Sequence, residues 1–216
     1  MPVTTPQADD DGLAATDGRR ARAERSRDAV VEAILELLYE GNNQPGAADI
    51  AERAGVSLRS VFRHFDDLES LHAAAVERHQ EIIAPLFELA IPRDASGDLA
   101  SPERRIEVLA KHRAALYEEM VLVRVVAERL RDRSASIRAG LERSNRILKA
   151  QVLDTFAPEL DAWDKTERRA AGDALDLAAS YAAWRQCRED QGLSVSRASA
   201  AVSLALTSIL TSGADR

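Results

Sequence analysis

The sequence has few of the residues that build disulfides, aromatic cores and membrane spans. Cys187 is the only cysteine, which excludes an intrachain disulfide and a cysteine-rich zinc site. Aromatic residues make up only 4% of the chain, so the core must consist mainly of Ala, Leu, Val and Ile, a composition that favours packed helices. No apolar run approaches the roughly 18 residues of a membrane span. The first residues are polar and acidic and do not resemble a signal peptide, so we expect a cytoplasmic protein.

Positive charge is concentrated in two places on an otherwise acidic chain with a formal net charge of −7. Residues 9–17 contain four aspartates and no base, whereas residues 19–27, RRARAERSR, contain five arginines and one glutamate. Arg59 and Arg63 form a second basic patch, without a neighbouring acid. The net charge therefore does not exclude a nucleic-acid partner, because the uneven distribution leaves local basic patches.

Helical periodicity runs through most of the chain. Val30, Ile34, Leu37 and Leu38 recur at the spacing of one helix face and predict a first helix from about Ser26 to about Glu40. No segment of useful length has the pattern of a strand, so we predict an all-α protein of about nine helices. The further helices are predicted over residues 47–54, 58–65, 68–90, 101–119, 120–131, 136–156, 167–189 and 195–212, with a loop over 92–102.

Composition and pattern divide the chain into three parts. Residues 1–18 are rich in Asp, Thr, Ala and Gly, have no periodicity and are predicted to form a disordered tail. Residues 19–67 contain the short helices of a helix-turn-helix domain. Residues 68–216 are predicted to form a second helical domain.

Residues 49–65, DIAERAGVSLRSVFRHF, have the physical features of a helix-turn-helix. Gly55 permits a left-handed turn between two short helices, and Ser57 is a good N-cap for the second helix. Val61 and Phe65 are spaced to anchor that second helix to the core. The remaining side chains near its start, Leu58, Arg59, Ser60 and Arg63, then point outward, as in a recognition helix placed in the major groove of DNA.

The outward residue types suit DNA. Arginine is the side chain best suited to a bidentate contact with guanine, and serine suits phosphates or base edges. We assign base contact to Arg59, and leave Arg63 open between a base and a phosphate. Leu58 and Ala48 offer only apolar contact, for instance to a thymine methyl group.

The same stretch resembles the TetR family of transcriptional repressors. The family pattern is I-A-x-x-A-G-V-S, then an aromatic-x-H-F segment, then a helix that starts with an acidic residue and a leucine. The resemblance covers residues 25–75 and rests on Ile50, Ala51, Ala54, Gly55, Val56, Ser57, Phe62, Arg63, His64, Phe65, Glu69 and Leu71.

The resemblance implies that the second and third helices enter the major groove while Phe62 and His64 face the phosphate backbone. Two positions depart from the family: Phe62 stands where tyrosine is usual, and Leu68 stands where lysine is frequent, so two phosphate contacts are in doubt. Arginines before the first helix could substitute for them. The full predicted DNA-binding set is Arg19, Arg20, Arg22, Ala48, Ser57, Leu58, Arg59, Ser60, Phe62, Arg63 and His64.

The resemblance also implies an effector pocket in the following helices and a dimer interface formed by the last two helices. Small residues at helical spacing near the end of the chain fit such a four-helix bundle, with Trp184 as a central anchor. The predicted interface is Ala182, Trp184, Ala198, Ala201, Val202, Ala205, Leu206 and Ile209. The predicted pocket is Val108, His112, Leu116, Tyr117, Met120, Ile137, Leu141 and Tyr181.

These features predict a homodimeric DNA-binding regulator, a repressor released from a palindromic operator by a small-molecule effector. An activator, a regulator without a ligand, and an all-α enzyme or scaffold with a vestigial helix-turn-helix remain alternatives. No nucleotide-binding, hydrolase or zinc-protease motif is present in the sequence, so we expect neither an enzyme nor a cofactor. Glu69 and His72 have the spacing of half a di-iron site, but the second half is absent from the sequence, so we expect no metal.

Overall fold

The computed structural model describes the backbone of residues 10–212 and the side chains of residues 20–212. Over these residues the chain is helical, and its only extended pairing is an isolated bridge between Arg93 and Leu99. It forms two compact units, an N-terminal unit up to His79 and a C-terminal unit from Gln80. The α-helices are α1 (Asp10–Tyr39), α2 (Ala47–Arg53), α3 (Leu58–His64), α4 (Leu68–Ile83), α5 (Pro102–Leu130), α6 (Ala135–Thr155), α7 (Ala157–Asp161), α8 (Lys165–Ala178), α9 (Tyr181–Arg185) and α10 (Val195–Thr211).

The N-terminal unit packs α2 and α3 against the second half of α1. Val30, Ile34 and Leu38 are fully buried on the face of α1 that the sequence predicted. Ile50 of α2 and Val61 of α3 are buried as well. The all-α prediction and the apolar face of the first helix are therefore confirmed.

The first helix is longer than its apolar pattern indicated. It begins at Asp10 rather than near Ser26, so residues 10–18 are helical and not part of a tail. The run over residues 19–27 is rich in Ala and Arg, which have high helix propensity and extend a helix without an apolar face. Residues 1–9, the rest of the predicted tail, lie outside the described residues.

Helix ends follow local signals. Gly41 has a φ of +89°, and the next amide, of Asn42, donates to the carbonyl of Leu37 at 3.0 Å, which closes α1. The Asp67 carboxylate caps α4 by accepting a hydrogen bond from the Ser70 amide at 2.7 Å. Helix α4 ends at Ile83, short of the predicted end near residue 90, because Pro85 lies in the 3₁₀ turn Ala84–Phe87 that follows.

Helix α5 is one continuous helix, whereas the sequence predicted two. Ser101 caps its start by accepting a hydrogen bond from the amide of Arg104. The predicted boundary falls after the polar pair at positions 118 and 119, but Glu118 has partners within the unit. It accepts from Nε1 of Trp184 at 2.9 Å and from Nε of Arg188 at 2.8 Å.

The predicted helix over residues 167–189 is instead broken in the middle. Helix α8 ends at Ala178, and the Ser180 hydroxyl starts α9 by accepting from the amide of Ala183 at 3.2 Å. A π-helical turn, Gln186–Asp190, completes this segment. Gly192, with a φ of +63°, then makes the turn into α10.

The core of the C-terminal unit lies among α5, α6, α8 and α10. Leu109, Leu116, Leu175, Ala198 and Leu206 are all fully buried there. Aliphatic and small residues thus supply most of this core, as the scarcity of aromatic residues predicted.

Arg105, near the start of α5, is a charged member of this core with only 3% of its surface exposed. Its Nε donates to the carbonyl of Ala100 at 2.9 Å, and Nη1 donates to the carbonyl of Thr155 and to Oε2 of Glu159. Nη2 donates to Oε1 of the same glutamate, so all three guanidinium nitrogens are hydrogen-bonded. The side chain thereby joins α5 to the end of α6 and to α7.

Replacing Arg105 should therefore destabilise the protein far more than replacing its exposed neighbour Arg104. Arg105→Met leaves Glu159 and two carbonyls without their donor and should lower the free energy of unfolding by about 3 kcal/mol. Arg104→Met removes only an exposed pair with Glu107 and should cost less than about 1 kcal/mol. Chemical denaturation followed by circular dichroism measures both. Equal losses in the two variants would contradict this role of Arg105.

Candidate nucleic-acid interface

A tight turn joins α2 to α3. Gly55 has a φ of +65°, a left-handed conformation that glycine adopts without steric cost. The amide of Gly55 donates to the carbonyl of Glu52 at 3.1 Å, and the amide of Val56 donates to the carbonyl of Ala51 at 3.0 Å. These backbone bonds fix the path of the chain between the two helices.

Ser57 begins α3, as the sequence predicted. Its hydroxyl accepts from the amide of Ser60 at 3.2 Å and lies 3.0 Å from the Ser60 hydroxyl. Both serines of the predicted DNA-binding set are therefore engaged in the cap. This cap orients the first turn of α3, which carries the outward-facing residues.

Helix α3 has one buried face and one exposed face. Val61 is 1% exposed and Phe65, which follows the helix, is 5% exposed. On the opposite face, Leu58 and Phe62 are 46% and 47% exposed, and Arg59 and Arg63 are also exposed. We call Leu58, Arg59, Phe62 and Arg63 the α3 face. Ala48 is exposed on α2.

His64 occupies a different position from these four residues. It is half-buried, and its Nε2 lies 3.2 Å from the Ser26 hydroxyl and 3.4 Å from Nη2 of Arg63. Burial, followed by the charges of Arg63 and Arg27, lowers the pKa of His64, so the ring is neutral at pH 7. The neutral ring ties the end of α3 to α1, an arrangement that the sequence pattern did not indicate.

The arginines before the apolar part of α1 lie on a helix rather than on an extended arm. Arg20 and Arg22 are exposed, and Arg20 pairs with Glu24 at 3.2 Å on the same helix. The side chain of Arg19 lies outside the described side chains. Arg27 packs its guanidinium over the ring of Phe65, 5.1 Å from the ring centroid.

The architecture of the chain matches solved structures of transcriptional regulators. One neighbour, from Mesorhizobium loti and assigned to the TetR family, matches with a TM-score of 0.57 and 17% identity, covering 88% of this chain and 97% of its own. The fold is that of a TetR-family regulator. A transcriptional regulator from Rhodococcus sp. Rha1 matches with a TM-score of 0.59 and 16% identity, covering 88% of this chain and 96% of its own. No protein-family model and no curated protein sequence matches the chain.

Within this TetR-type fold, the C-terminal unit contains a cavity of about 540 Å³. Only Tyr117 and Tyr181 of the predicted pocket line it. Of the other six residues, Leu116, Met120, Ile137 and Leu141 are buried in the core, Val108 is half-buried, and His112 lies 3.1 Å from the carbonyl of Glu88. The lining consists of Tyr117, Arg124, Val125, Glu128, Arg129, Asn145, Leu148, Asp176, Ser180, Tyr181, Ala182 and Arg185.

The cavity has a polar centre that the predicted set missed. Arg124 is 9% exposed, donates from Nε to Glu128 at 2.8 Å, and lies over the Tyr181 ring, 5.0 Å from its centroid. Burial raises the pKa of Tyr117 and of Tyr181 to about 12. The hydroxyl of Tyr117 donates to the carbonyl of Ala179 at 2.7 Å, whereas the buried hydroxyl of Tyr181 has no partner among the described residues. The isolated arginine in the apolar run VLVRVV was the available signal for Arg124.

The predicted dimer interface separates into two groups. Trp184, Ala198, Val202 and Leu206 are buried in the chain's own core, so a partner subunit cannot reach them. Periodicity places such residues on one helix face but does not distinguish an internal core from an interface. The remaining four, Ala182, Ala201, Ala205 and Ile209, are exposed or half-buried.

Two leucines that the prediction omitted are the most exposed large apolar residues described. Leu177 of α8 and Leu204 of α10 each have 68% of their surface exposed. Helices α8 and α10 contact each other, so both leucines belong to one helix pair.

No helix described here has the length and apolarity to cross a membrane. Residues 20–212 also contain no group of three or more His, Cys, Asp or Glu side chains placed to hold a metal ion. The free thiol of Cys187 is half-buried and packs against the core of the C-terminal unit.

The left-handed turn generates a prediction about stability. A Cβ at position 55 would meet no neighbouring atom, so Gly55→Ala should cost only the backbone strain of a positive φ, about 1–2 kcal/mol in the free energy of unfolding. Gly46→Ala is the control without a positive φ, because Gly46 has a φ of −78°; as the N-cap of α2, where alanine is less favourable than glycine, it should cost less than about 1 kcal/mol. Chemical denaturation of both variants measures the difference. If the two variants lose the same free energy of unfolding, the turn does not require glycine at position 55.

Proposed function

We propose that this protein is a homodimeric transcriptional regulator that binds a two-fold-symmetric operator through α3. The observation that supports this most directly is the α3 face, where two arginines, a leucine and a phenylalanine are exposed on a short helix. A rigid turn and a serine cap hold this helix in place. A helix of this kind, presented beside a packed companion helix, is the element that helix-turn-helix proteins place in the major groove.

The charges of this region support DNA as the partner. Arg59 forms no ion pair with a described residue, whereas Arg53 of α2 pairs with Glu40 at 2.8 Å and with Glu36 at 3.3 Å. Arg59 is therefore available for a bidentate contact with guanine. Arg63 lies close to His64 and is placed to contact phosphate. The net negative charge of the chain disfavours nonspecific binding elsewhere on its surface.

Phe62 takes a role that differs from that of the tyrosine usual at this position. Its ring is 47% exposed and has no hydroxyl to donate to a phosphate. An exposed aromatic ring beside Leu58 suits apolar contact with sugars or with a thymine methyl group. We infer that phosphate contacts come instead from Arg63 and from the arginines on α1.

A small-molecule effector that releases the protein from its operator fits the cavity in the C-terminal unit. Its volume of about 540 Å³ falls within the range of ligand pockets, roughly 300–1,000 Å³. Its lining combines two tyrosines and three aliphatic residues with charged and polar side chains that could orient a ligand. We therefore propose repression by operator occupancy, relieved by a ligand in this cavity.

Dimerisation is proposed through the exposed faces of α8 and α10. Leu177 and Leu204 leave apolar surface uncovered, and Ala201 and Ala205 are small enough to allow close approach of a second helix pair. A two-fold axis would bring the same patch of both subunits together. This proposal replaces Trp184 with Leu204 as the central residue of the interface.

The proposed base contact has a direct test. Arg59→Ala should weaken binding by about 1–3 kcal/mol per half-site and relax the preference at one symmetric base pair. Arg20→Ala is the control, because an exposed arginine on α1 that contacts only phosphate carries no base information. A randomised-site binding selection on wild type and both variants gives the preferences. If Arg59→Ala retains the wild-type preference at every position, Arg59 does not specify a base.

The proposed dimer interface also has a direct test. Leu204→Glu places a charge in the centre of the interface and should convert the protein to monomers at micromolar concentration, with a loss of operator affinity. Ile147→Glu, on α6, changes a side chain that is 40% exposed and should leave the dimer intact. Sedimentation velocity measures the association state of both variants. A Leu204→Glu protein that remains dimeric would place the interface elsewhere.

A further inference from the structure

The cavity of the C-terminal unit contains a buried guanidinium group that is only partly hydrogen-bonded. Arg124 is 9% exposed, and its Nε donates to Glu128. Neither of its Nη atoms forms a hydrogen bond with a described residue. Arg124 lines the cavity, so these terminal donors are available to an acceptor bound there.

A second unpartnered donor lies beside Arg124. The Tyr181 side chain is 8% exposed, and its hydroxyl is buried without a partner. Because the Arg124 guanidinium lies 5.0 Å from the centroid of the Tyr181 ring, both donors belong to the same part of the cavity. Burial holds the pKa of the phenol at about 12, so it keeps its proton at neutral pH.

The chemistry of these donors favours a carboxylate. The planar fork of an arginine matches the two oxygens of a carboxylate, and such charge-assisted pairs are stronger than neutral hydrogen bonds. A neutral ligand would leave the guanidinium charge less compensated, and an amine would be repelled by it.

The other charged groups of the lining are compatible with an anion. Arg129 and Arg185 add positive charge, whereas Glu128 and Asp176 add negative charge. Glu128 already pairs with Nε of Arg124 and is 44% exposed. Asp176 lies 3.9 Å from Nζ of Lys149, whose positive charge offsets that of the carboxylate, and burial raises the pKa of Asp176.

The rest of the lining is suited to an apolar body. The rings of Tyr117 and Tyr181 meet edge to face with centroids 5.5 Å apart, and Val125, Leu148 and Ala182 add aliphatic surface. A second depression in this unit, lined by residues of α6, α7 and α8, has a larger volume of about 700 Å³. Its Lys149 already pairs with Asp173 at 2.7 Å, and its Arg168 with Asp161. Its two other cations, Lys165 and Arg169, are exposed, so this depression offers no buried donor comparable to Arg124.

We propose that the ligand of this cavity is an amphipathic carboxylate, bound at its carboxyl group by Arg124 and Tyr181. Its apolar part lies against Tyr117, Val125 and Leu148. The proposal rests on the proposed function in assigning an effector to this cavity, and it adds the chemical class of that effector. It also links α5 to α9 through one ligand group, since Arg124 and Tyr181 belong to those helices.

Three probes with the same ring system test the charge requirement. Isothermal titration calorimetry on the full-length protein would compare naphthalene carboxylate, its primary amide and naphthylmethylamine. We expect the carboxylate to bind about tenfold or more tightly than the amide, and the amine to bind most weakly. Equal affinity for the carboxylate and the amide, a preference for the amine, or no binding of the carboxylate at millimolar concentration would each overturn the proposal.

Variants of the cavity residues then test which side chains cause the preference for the carboxylate over the amide. Arg124→Gln should bring the affinities for carboxylate and amide close to each other, and Tyr181→Phe should weaken the carboxylate severalfold. Arg104→Gln, an exposed arginine on the same helix, is the control and should leave both affinities unchanged. A carboxylate preference that survives in folded Arg124→Gln protein would overturn the assignment of this arginine.

Two further measurements separate loss of folding and loss of DNA binding from loss of ligand binding. Thermal melting and circular dichroism establish whether each variant is folded. If Arg124→Gln does not fold, Tyr181→Phe decides, and an unchanged carboxylate affinity in that variant overturns the proposal. Operator binding is measured separately, so a protein that binds DNA but shows no carboxylate preference refutes only the ligand class.

Discussion

Burying a guanidinium costs free energy unless its donors are hydrogen-bonded, and helix α5 buries three of them. Arg105 is bonded to Thr155 and Glu159, and Arg113 donates to the carbonyl of Leu148 at 2.9 Å. Arg124 lies on the ring of Tyr181. Each arginine therefore joins α5 to other elements, so the position of α5 along its axis is fixed by hydrogen bonds as well as by apolar packing. In a core with few aromatic rings, these long side chains also supply volume.

The N-terminal unit uses arginine in the opposite way. None of its described guanidinium groups is buried: Arg53 is neutralised by Glu36 and Glu40, while Arg59 is left without an ion pair among the described residues. The same residue type thus stabilises one unit from within and, in the other, supplies the exposed charge that we propose contacts DNA. The difference lies in the partners that the fold provides and not in the side chain itself.

The sequence predicted the parts of the structure that depend on near neighbours. Gly55 and Ser57 act within one turn of the chain, so the helix-turn-helix and its exposed face could be predicted from local pattern. The continuity of α5 depends on Glu118 meeting Trp184 and Arg188, which are distant in sequence, and it was missed for that reason. The cavity was missed in most of its residues because it is defined by where helices α5, α6, α8 and α9 approach one another.

The register of α5 constrains how this protein can change in length during evolution. One residue inserted between Arg105 and Arg124 would rotate one arginine relative to the other by about 100° and separate at least one of them from its partners. Only an insertion close to a whole number of helical turns would keep both arginines facing their partners. Even such an insertion would move one arginine along the helix axis relative to the other. Residues 88–101, which form no helix, can gain or lose single residues without such a rotation. Insertions and deletions of single residues should therefore disturb the fold less before this helix than within it.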